Sequence, residues 1–405
     1  MKVAVIGGGA AGFFSALSAK KHHPKAEVVL FEKSKKFLAK VKISGGGRCN
    51  VTHHCFDNKK LSEHYPRGKN QLKKAFSQFA VQDTLNWFGE RGVETYTLPD
   101  NCIFPKSDSS QTIIDTFLNE ALKLGVDLKS SVAVRAIVPQ EDDGFILSFD
   151  DGENYFDKVI VTTGGSPKMS GLTWLQELGL QIETPVPSLF TFNMPNNPVR
   201  DLMGCVVEKT IVKVEGTKLI GDGPLLVTHW GMSGPAVLKL SAWGARILAD
   251  KNYQFSILVN WLNNPSEEEV RMQIKQALID AGNKKLNNFN PFPITNRIWN
   301  FLCEKTGFSE DTKWVDLSKK SINRLFTVLT QDRYEVSGKT TFKEEFVTAG
   351  GVDLKEINFK RFESKKHKNL FFVGEVLNID AVTGGFNFQN AWTGGFICAN
   401  AIAEM

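Results

Sequence analysis

The sequence has no long apolar segment and few cysteines, and both absences restrict the class of protein. No run of about 18 apolar residues occurs in the 405 residues, so no membrane span is predicted. The longest uncharged stretch, 381–403, is rich in Gly, Asn, Thr and Gln, which hydrocarbon disfavours. The N-terminus is apolar for only a few residues before its glycines begin, which indicates a first strand and not a signal peptide. The six cysteines have no CxxC or paired-ligand spacing, so we predict reduced thiols in a cytoplasmic protein, with no disulfide framework and no metal.

Common hydrolase motifs are also missing. The sequence contains no HExxH, GxSxG or GxxxxGK[ST], which leaves protease, esterase and nucleotidase functions without support. Apolar residues make up 42% and charged residues 23%, as in an ordinary globular protein, and the length predicts two or three domains. A net charge of +5 is by itself only weak evidence for a polyanionic partner.

The first part of the chain contains a dinucleotide-binding pattern. A short apolar run at 2–6 is followed by GGGAAG and a helical pattern, and a second apolar run ends in Glu32, twenty residues after Gly12. Gly7 permits a tight turn, Gly9 permits close approach of a pyrophosphate, and Gly12 permits close packing of helix on strand. The pyrophosphate then lies at the helix N-terminus, and Glu32 accepts hydrogen bonds from the adenosine ribose. The alternative is a glycine-rich turn without a ligand.

Later segments favour FAD over NAD. The apolar run 370–373 ends in Gly374 and Glu375, which resembles the second flavin fingerprint of glutathione-reductase-like flavoproteins, where the acid binds the ribityl chain. Residues 159–165 resemble the strand-to-glycine turn of that superfamily, and 125–134 resemble the strand that contacts adenine. Because a NAD dehydrogenase needs no such returning segments, we predict FAD. No second GxGxxG occurs, so an NAD(P)H donor would bind only transiently, or a different donor is used.

Four further segments carry a family resemblance, and the first of them, 42–52, is far more specific than the dinucleotide pattern. They are KISGGGRCNVT at 42–52, the pair GEVLNID and TGGFNFQ at 374–380 and 383–389, and THWGMSGP at 228–235. With the pattern above, they resemble the BaiN/RdsA (YhiN-like) family of FAD-dependent oxidoreductases over essentially the whole chain. The sequence departs from that family at Asn378, where Asp is expected, and at Ala381, where Gly is usual.

The resemblance implies an α/β fold in which a Rossmann-like, glutathione-reductase-like FAD-binding domain is interrupted by a β-rich domain and a small helical domain. The predicted boundaries are 1–188 plus 340–405 for the FAD-binding domain, 189–262 (with part of 326–340) for the β-rich domain, and 263–325 for the helical domain. The sequence supports the β-rich domain independently of the resemblance, since short β-branched runs alternate with turn residues over 188–262. Ser266 is placed as a helix N-cap with Glu269 at the third helical position.

The residues predicted to contact FAD lie in the motifs above. They are Gly7, Gly9, Ala10, Ala11, Gly12, Glu32, Lys33, Lys40, Ser44, Gly46, Gly47, Arg48, Asn50, Val134, Thr163, Gly164, Gly374, Glu375, Asp380, Gly384, Gly385, Asn387 and Phe388. The glycine loop 45–47 brings backbone amides to the flavin, and Arg48 supplies a cation. An uncharged helix is predicted from about Phe388, with its N-terminus toward the flavin pyrimidine, where it stabilises negative charge. The alternative is a C-terminal helix that only packs in the core.

Two residues are candidate catalytic groups. Cys49 follows Arg48, whose charge would lower the thiol pKa, and it is a possible proton donor or redox thiol. His229 lies in a turn that presents its imidazole as acid or base. The structural alternatives are a small buried residue for Cys49 and a hydrogen-bonded structural histidine for His229. Glu375 and Asp380 fit ribityl and loop contacts better than catalysis, and the other histidines, which include His53 and His64, are predicted to lie on the surface.

Basic residues form two clusters in the sequence. The first comprises Lys33, Lys35, Lys36, Lys40, Lys42 and Arg48, and the second comprises Lys360, Arg361, Lys365, Lys366 and Lys368. Solvated lysines are the usual explanation for such clusters. However, both flank segments that converge on one cofactor, so we hypothesise a single basic rim for an RNA backbone.

The function predicted from these features is an FAD-dependent oxidoreductase. The family implies an NAD(P)H-linked reductase of an activated C=C bond: uracil in ribosomal RNA to dihydrouridine in one branch, a steroid enone in another. We predict the RNA substrate because of the basic clusters, with Cys49 or His229 as the acid. The alternatives are an amine oxidase acting on small amines such as aminoacetone, and a non-catalytic, flavin-containing RNA-binding or regulatory protein.

Overall fold

The computed structural model of the chain describes residues 1–263, 266–340 and 347–403. These residues form two compact units. The first consists of the described residues of Met1–Ser188 and Phe342–Met405, and the second of those of Leu189–Thr341.

The described residues form helices in both units. In chain order, the helices are α1 (Ala10–His22), α2 (Ala39–Gly47), α3 (Asn58–Ser62), α4 (Lys69–Ala75), α5 (Val81–Gly89), α6 (Ser110–Leu124), α7 (Thr173–Gln176), α8 (Pro235–Trp243), α9 (Ala245–Asp250), α10 (Glu267–Ala281), α11 (Asn296–Lys305), α12 (Lys319–Thr330) and α13 (Phe386–Ala403). None of them combines the length and apolarity needed to cross a membrane.

The strands of the same residues follow the same order. They are β1 (Lys2–Ile6), β2 (Glu27–Glu32), β3 (Thr52–His53), β4 (Thr95–Thr97), β5 (Cys102–Pro105), β6 (Asp127–Ser130), β7 (Ala136–Pro139), β8 (Phe145–Phe149), β9 (Gly152–Phe156), β10 (Lys158–Val161), β11 (Ile182–Pro187), β12 (Thr191–Asn193), β13 (Val206–Val214), β14 (Ile220–Val227), β15 (Gly231–Ser233), β16 (Gln254–Asn260), β17 (Asp332–Ser337), β18 (Lys339–Thr340), β19 (Thr348–Val352), β20 (Ile357–Asn358), β21 (Glu363–Ser364) and β22 (Leu370–Phe372).

A mostly parallel sheet organises the first unit. Its order is β20-β21-β22-β10-β1-β2-β6. Strands β22, β10, β1, β2 and β6 run parallel to one another, and β21 is antiparallel to both of its neighbours, β20 and β22. The inner strands β1, β10 and β22 are almost entirely buried, as expected for a parallel sheet covered on both faces. Because parallel strands end at one edge, the residues that follow β1, β2, β10 and β22 lie together there.

An aromatic layer packs the helices of the first unit. The rings of Phe14, Trp87, Phe117 and Trp392 lie in α1, α5, α6 and α13, with neighbouring centroids 4.9 to 5.5 Å apart. Such pairs add about 0.5–1.5 kcal/mol each beyond the area they bury. Gly395 of α13 faces Ser15 of α1, where an added Cβ would lie 3.0 Å from the serine Oγ. The C-terminal helix is therefore part of the core that supports α1.

The second unit contains an antiparallel sheet with helices packed on it. The strand order is β17-β16-β13-β14-β15-β12-β18. Buried residues of the sheet, such as Phe192 and Trp261, and of the helices, such as Ile298 and Trp314, belong to one hydrophobic cluster. The division of this unit at 262/263 stays a prediction, as does the boundary at 340, which adjoins residues 341–346 outside the described part of the chain.

One local prediction in this unit is confirmed. Helix α10 begins at Glu267, and the Ser266 side chain accepts a hydrogen bond from the Glu269 N–H at 3.3 Å. This is the N-cap contact that the Ser-x-x-Glu pattern predicts. Pro265, the first residue of the predicted helix start, lies outside the described residues.

Candidate cofactor site

The turn between β1 and α1 is closed by two glycines that the chain itself requires. Gly7 has φ +114°, and a Cβ there would lie 2.6 Å from the carbonyl oxygen of Thr162. A Cβ on Gly12 would lie 1.9 Å from the carbonyl oxygen of Gly7. Any side chain at either position would push the helix away from the sheet.

Gly9 differs from these two glycines. Its φ of −92° is accessible to any residue, and a Cβ there would meet no described atom within 4 Å. The same open space lies at Gly46, Gly47 and Gly164. Packing within the described chain therefore does not explain glycine at position 9, whereas a pyrophosphate in front of the α1 N-terminus does. The site fits the predicted FAD on this observation.

Glu32 ends β2 beside this turn. Its carboxylate accepts hydrogen bonds from the backbone N–H groups of Gly8 and Ser34, both at 2.8 Å. A carboxylate has about four acceptor positions, so two remain for ribose hydroxyls. The N–H of Val132 donates to the Glu32 carbonyl oxygen at 2.9 Å, which brings the segment that contains Val134 alongside.

The second flavin fingerprint, Gly374 and Glu375, lies next to the glycine turn and α1. A Cβ on Gly374 would lie 3.0 Å from the Cβ of Ala11 in α1. The Glu375 carboxylate accepts from the Thr348 N–H at 2.8 Å and pairs with Lys40 Nζ at 3.2 Å. Lys40 and Glu375, both predicted to contact FAD, are thus neighbours. Thr348 was not predicted, because a residue that contributes only its backbone N–H has no sequence motif.

The glycine loop breaks α2 before it reaches the site. Gly45 and Gly46 have φ of +57° and +68°, outside the helical region. The Arg48 guanidinium lies 4.3 Å from the centroid of the Phe104 ring, which holds its charge in place. The Asn50 side chain accepts from the Gly385 N–H at 3.1 Å and donates to the Thr52 carbonyl oxygen at 2.8 Å. Asn50 therefore ties the loop to the turn before α13.

Helix α13 begins at Phe386, two residues earlier than predicted. The hydroxyls of Thr52 and Thr84 donate to Gln389 Oε1 at 2.6 and 3.0 Å, and the Tyr65 hydroxyl donates to the Phe386 carbonyl at 2.6 Å. These buried hydrogen bonds fix the first turn of the helix.

Asn387 and Phe388, in the first turn of α13, also have defined side-chain contacts. The Asn387 side chain bonds to both backbone polar groups of Ala381, at 3.0 and 3.3 Å. The ring of Phe388 stacks on that of Trp392, 5.6 Å between centroids. The turn that contains Gly384 and Gly385 is thus held from both sides.

Asp380 is fully buried between the second fingerprint and α13. Its carboxylate accepts hydrogen bonds from Nε and Nη2 of Arg67 and from the Ser188 hydroxyl. Burial raises the pKa of the Asp380 carboxyl, and the Arg67 guanidinium acts in the opposite direction. This geometry favours support of the loop over direct contact with FAD. Arg67 was not predicted, since a single arginine carries no sequence signal.

Cys49 does not have the environment that we predicted. It is fully buried, with φ +63°, and burial raises the pKa of its thiol to about 12. The predicted lowering of this pKa by Arg48 is therefore wrong. Desolvation outweighs the charge because no water reaches the sulfur.

The Cys49 thiol is accordingly expected to resist alkylation in the folded protein. At pH 8, a pKa of about 12 leaves only about one thiol in 10⁴ as thiolate. Iodoacetamide labelling followed by peptide mass spectrometry should find Cys49 unmodified in the native protein and modified after unfolding in guanidinium chloride. Equal labelling in both states would contradict this burial.

His229, His53 and His64 have different environments. His229 is exposed in the second unit, where its ring centroid lies 4.6 Å from that of Trp230, and its contact with a flavin stays a prediction. His53 and His64 are half-buried against Phe386, with ring centroids 4.5 and 4.2 Å from it. These two histidines, predicted to lie on the surface, are thus only partly exposed.

The two basic clusters do not form one rim. Residues 33–36 follow β2 and lie at the carboxyl edge of the parallel sheet, whereas 365–368 precede β22 and lie at the amino edge. In the second cluster, Lys368 pairs with Asp143 at 3.0 Å and Lys366 donates to the Gly179 carbonyl. The prediction of a single rim is therefore wrong for Lys365, Lys366 and Lys368. Among the described residues, no group of three or more His, Cys, Asp and Glu side chains is arranged to hold a metal ion.

Comparison with known proteins places the chain in a family. A sequence model of the HI0933-like protein Rossmann domain matches residues 1–401. The chain is 28% identical to the ribosomal RNA dihydrouridine synthase of Haemophilus influenzae, over 99% of this chain and 98% of that protein. It is 24% identical to the 3-dehydro-bile acid delta(4,6)-reductase of Clostridium scindens, over 100% of this chain and 99% of that protein.

Solved structures show the same fold. The 3-ketosteroid delta1-dehydrogenase of Sterolibacterium denitrificans superposes with a TM-score of 0.54 at 12% identity, over 99% of both chains. The 3-ketosteroid-delta4-(5alpha)-dehydrogenase of Rhodococcus jostii gives 0.50 at 13% identity, over 98% of this chain and 96% of that one. The predicted Rossmann-type FAD-binding α/β fold and the family resemblance are confirmed. The chain belongs to the HI0933-like family and is an FAD-dependent oxidoreductase.

Proposed function

We propose that this protein reduces an activated C=C bond, with uracil in ribosomal RNA as substrate, dihydrouridine as product and NAD(P)H as electron donor. The observation that carries the proposal is the full-length similarity to two proteins named ribosomal RNA dihydrouridine synthase, from Haemophilus influenzae and Escherichia coli. A further relative, from Clostridium scindens, is named 3-dehydro-bile acid delta(4,6)-reductase. Conversion of uracil to dihydrouracil adds two hydrogens across a C=C bond conjugated to a carbonyl group.

The residues of the site have distinct proposed roles in holding the cofactor. The α1 N-terminus and Gly9 take the pyrophosphate, Glu32 takes the adenosine ribose, and Glu375 with Lys40 takes the ribityl chain. When bound, FAD supplies the hydride that the reduction requires. The first turn of α13 is held by hydrogen bonds of Asn50 and Gln389, and its free amides and positive helix end would stabilise negative charge on the flavin.

A reduction of this kind also needs a proton at the carbon beside the carbonyl group. His229 remains the proposed acid, because its imidazole is exposed at the tip of a hairpin and imidazole is a common general acid in enzymes. Cys49 is a poorer candidate, since a fully buried thiol has no route by which to exchange protons with solvent.

Complementation tests the proposed substrate. We expect expression of the wild-type chain in an Escherichia coli strain without its ribosomal RNA dihydrouridine synthase to restore dihydrouridine in ribosomal RNA. The readout is nucleoside mass spectrometry, and the control is a Gly9→Leu variant expressed at the same level. Purified holoprotein should also lose its flavin absorbance on anaerobic addition of NADPH. Absent dihydrouridine together with turnover of a steroid dienone would refute the RNA substrate but not the reductase.

A further inference from the structure

A tight turn in the second unit holds two aromatic rings in solvent. β14 ends at Val227 and β15 begins at Gly231, so His229 and Trp230 occupy the tip of the hairpin. His229 is exposed, 44% of the Trp230 side chain is exposed, and the two rings lie 4.6 Å apart between centroids.

The backbone of this 228–231 turn is fixed on every side. The N–H of Thr228 donates to the Gly231 carbonyl at 2.7 Å, and the Thr228 hydroxyl accepts from the Trp230 N–H at 3.2 Å. From outside the turn, Arg200 Nε donates to the His229 carbonyl at 2.6 Å, and the Met194 N–H donates to the Trp230 carbonyl at 2.8 Å. The turn therefore presents its rings in a defined position.

Glycine at the end of the turn adds to this constraint. Gly231 has φ +149°, and a Cβ there would lie 2.2 Å from the Phe192 carbonyl oxygen. This fully bonded turn keeps nearly half of an indole in contact with water, where its apolar surface gains nothing from burial. Rigid, half-exposed Trp side chains with an apolar face are typical of recognition sites.

One guanidinium group contacts the turn, and a second contacts residues 201–203, which precede β13. Arg200 contacts the turn directly, and Arg297 of α11 donates to the carbonyl oxygens of Asp201 and Met203, the latter at 3.3 Å. Within the described ranges, neither side chain forms an ion pair with a carboxylate. No carboxylate therefore neutralises either positive charge within the described ranges, and the charge of Arg200 lies next to the aromatic pair.

We propose that the 228–231 turn is a nucleobase-stacking site for a single-stranded segment of RNA. A base stacks on Trp230, and the flanking phosphates contact Arg200 and Arg297. Base stacking on an aromatic ring depends little on the identity of the base, so this site contributes affinity and not sequence choice. The proposal rests on the proposed function, for which it supplies a contact with the RNA substrate.

Fluorescence anisotropy with a labelled, single-stranded, uridine-containing RNA oligonucleotide tests the site in the holoprotein. Trp230→Ala should raise Kd about 5- to 100-fold, the range that stacking of one base provides. Trp230→Phe, which keeps a ring, should restore most of the affinity. Trp243→Ala is the matched control, because Trp243 is 45% exposed in the same unit and has no role in the site. FAD content and melting temperature are measured for each variant.

Each outcome has a distinct meaning. Tight RNA binding by the wild type that Trp230→Ala leaves unchanged overturns this inference alone. No RNA binding by the wild type overturns both the site and the proposed RNA substrate. A raised KM for NADPH with unchanged RNA affinity would assign the turn to the nicotinamide donor and overturn the stacking site.

Discussion

Replacement of Gly9 by leucine is expected to yield a folded protein that does not retain FAD. A Cβ at this position would meet no described atom of the chain within 4 Å, so we expect the apoprotein to tolerate a side chain there. The same side chain would occupy the space in front of the α1 N-terminus, where we propose that the pyrophosphate binds. Forcing it against the cofactor costs about 1–3 kcal/mol or more, which weakens FAD binding by at least about fivefold.

The matched variant is Gly12→Leu. It adds the same side chain three residues further on, where a Cβ would lie 1.9 Å from the Gly7 carbonyl oxygen. We expect this variant to lose folded protein and not only cofactor. Visible absorbance reports FAD content, and circular dichroism with thermal melting of the apoproteins reports folding. A Gly9→Leu protein that purifies with full FAD occupancy would remove pyrophosphate binding from this turn.

The second large effect is expected at the buried pair of Arg67 and Asp380. Arg67→Met removes both guanidinium hydrogen bonds and leaves a fully buried carboxylate without its cation. Loss of one partner from a buried pair costs about 3–5 kcal/mol. Urea unfolding followed by tryptophan fluorescence should therefore show a large drop in midpoint. The double variant Arg67→Met/Asp380→Leu should recover most of it, because no buried charge remains.

The pH dependence of the single variant has a definite sign. Burial raises the pKa of Asp380, and Arg67→Met removes the group that opposes this. A carboxyl whose folded-state pKa is raised contributes stability at low pH that is lost as pH rises through that pKa. The stability deficit relative to wild type should thus be smaller at pH 5 than at pH 8. A deficit that shrinks as pH rises would contradict the burial of this charge.

The sequence predicted the local parts of the fold and site because each depends on neighbouring residues. The strand, glycine turn, helix and Glu32 of the first sixty residues lie within one supersecondary unit, and Ser266 caps a helix that it directly precedes. The pairing of Arg67 with Asp380 joins residues 313 positions apart. No spacing within one sequence indicates such a contact, and the same holds for the packing of His53 and His64 on Phe386.

The error over the basic clusters has a different physical origin. Both clusters are close in sequence to strands of the parallel sheet. Closeness to a strand does not say whether the cluster lies at the amino or the carboxyl end of that strand. A residue after β2 and a residue before β22 lie at opposite edges, because the two strands run in the same direction. For Cys49, the charge of Arg48 was visible in the sequence, whereas the complete burial that dominates its pKa depends on the packed loop.

The parallel pairing of β10 with β22 has a consequence for biosynthesis. Val161 is hydrogen-bonded into the sheet beside Phe372, which leaves the ribosome about 210 residues later. At a translation rate of about 5–20 residues per second, β22 is synthesised roughly 10–40 s after β10, its partner strand in the sheet. During that interval the edge of β10 is open to wrong pairing, as it would be permanently in a chain terminated before Leu370. Nonsense or frameshift alleles near the 3′ end should consequently yield aggregated or degraded polypeptide and not a partially active enzyme.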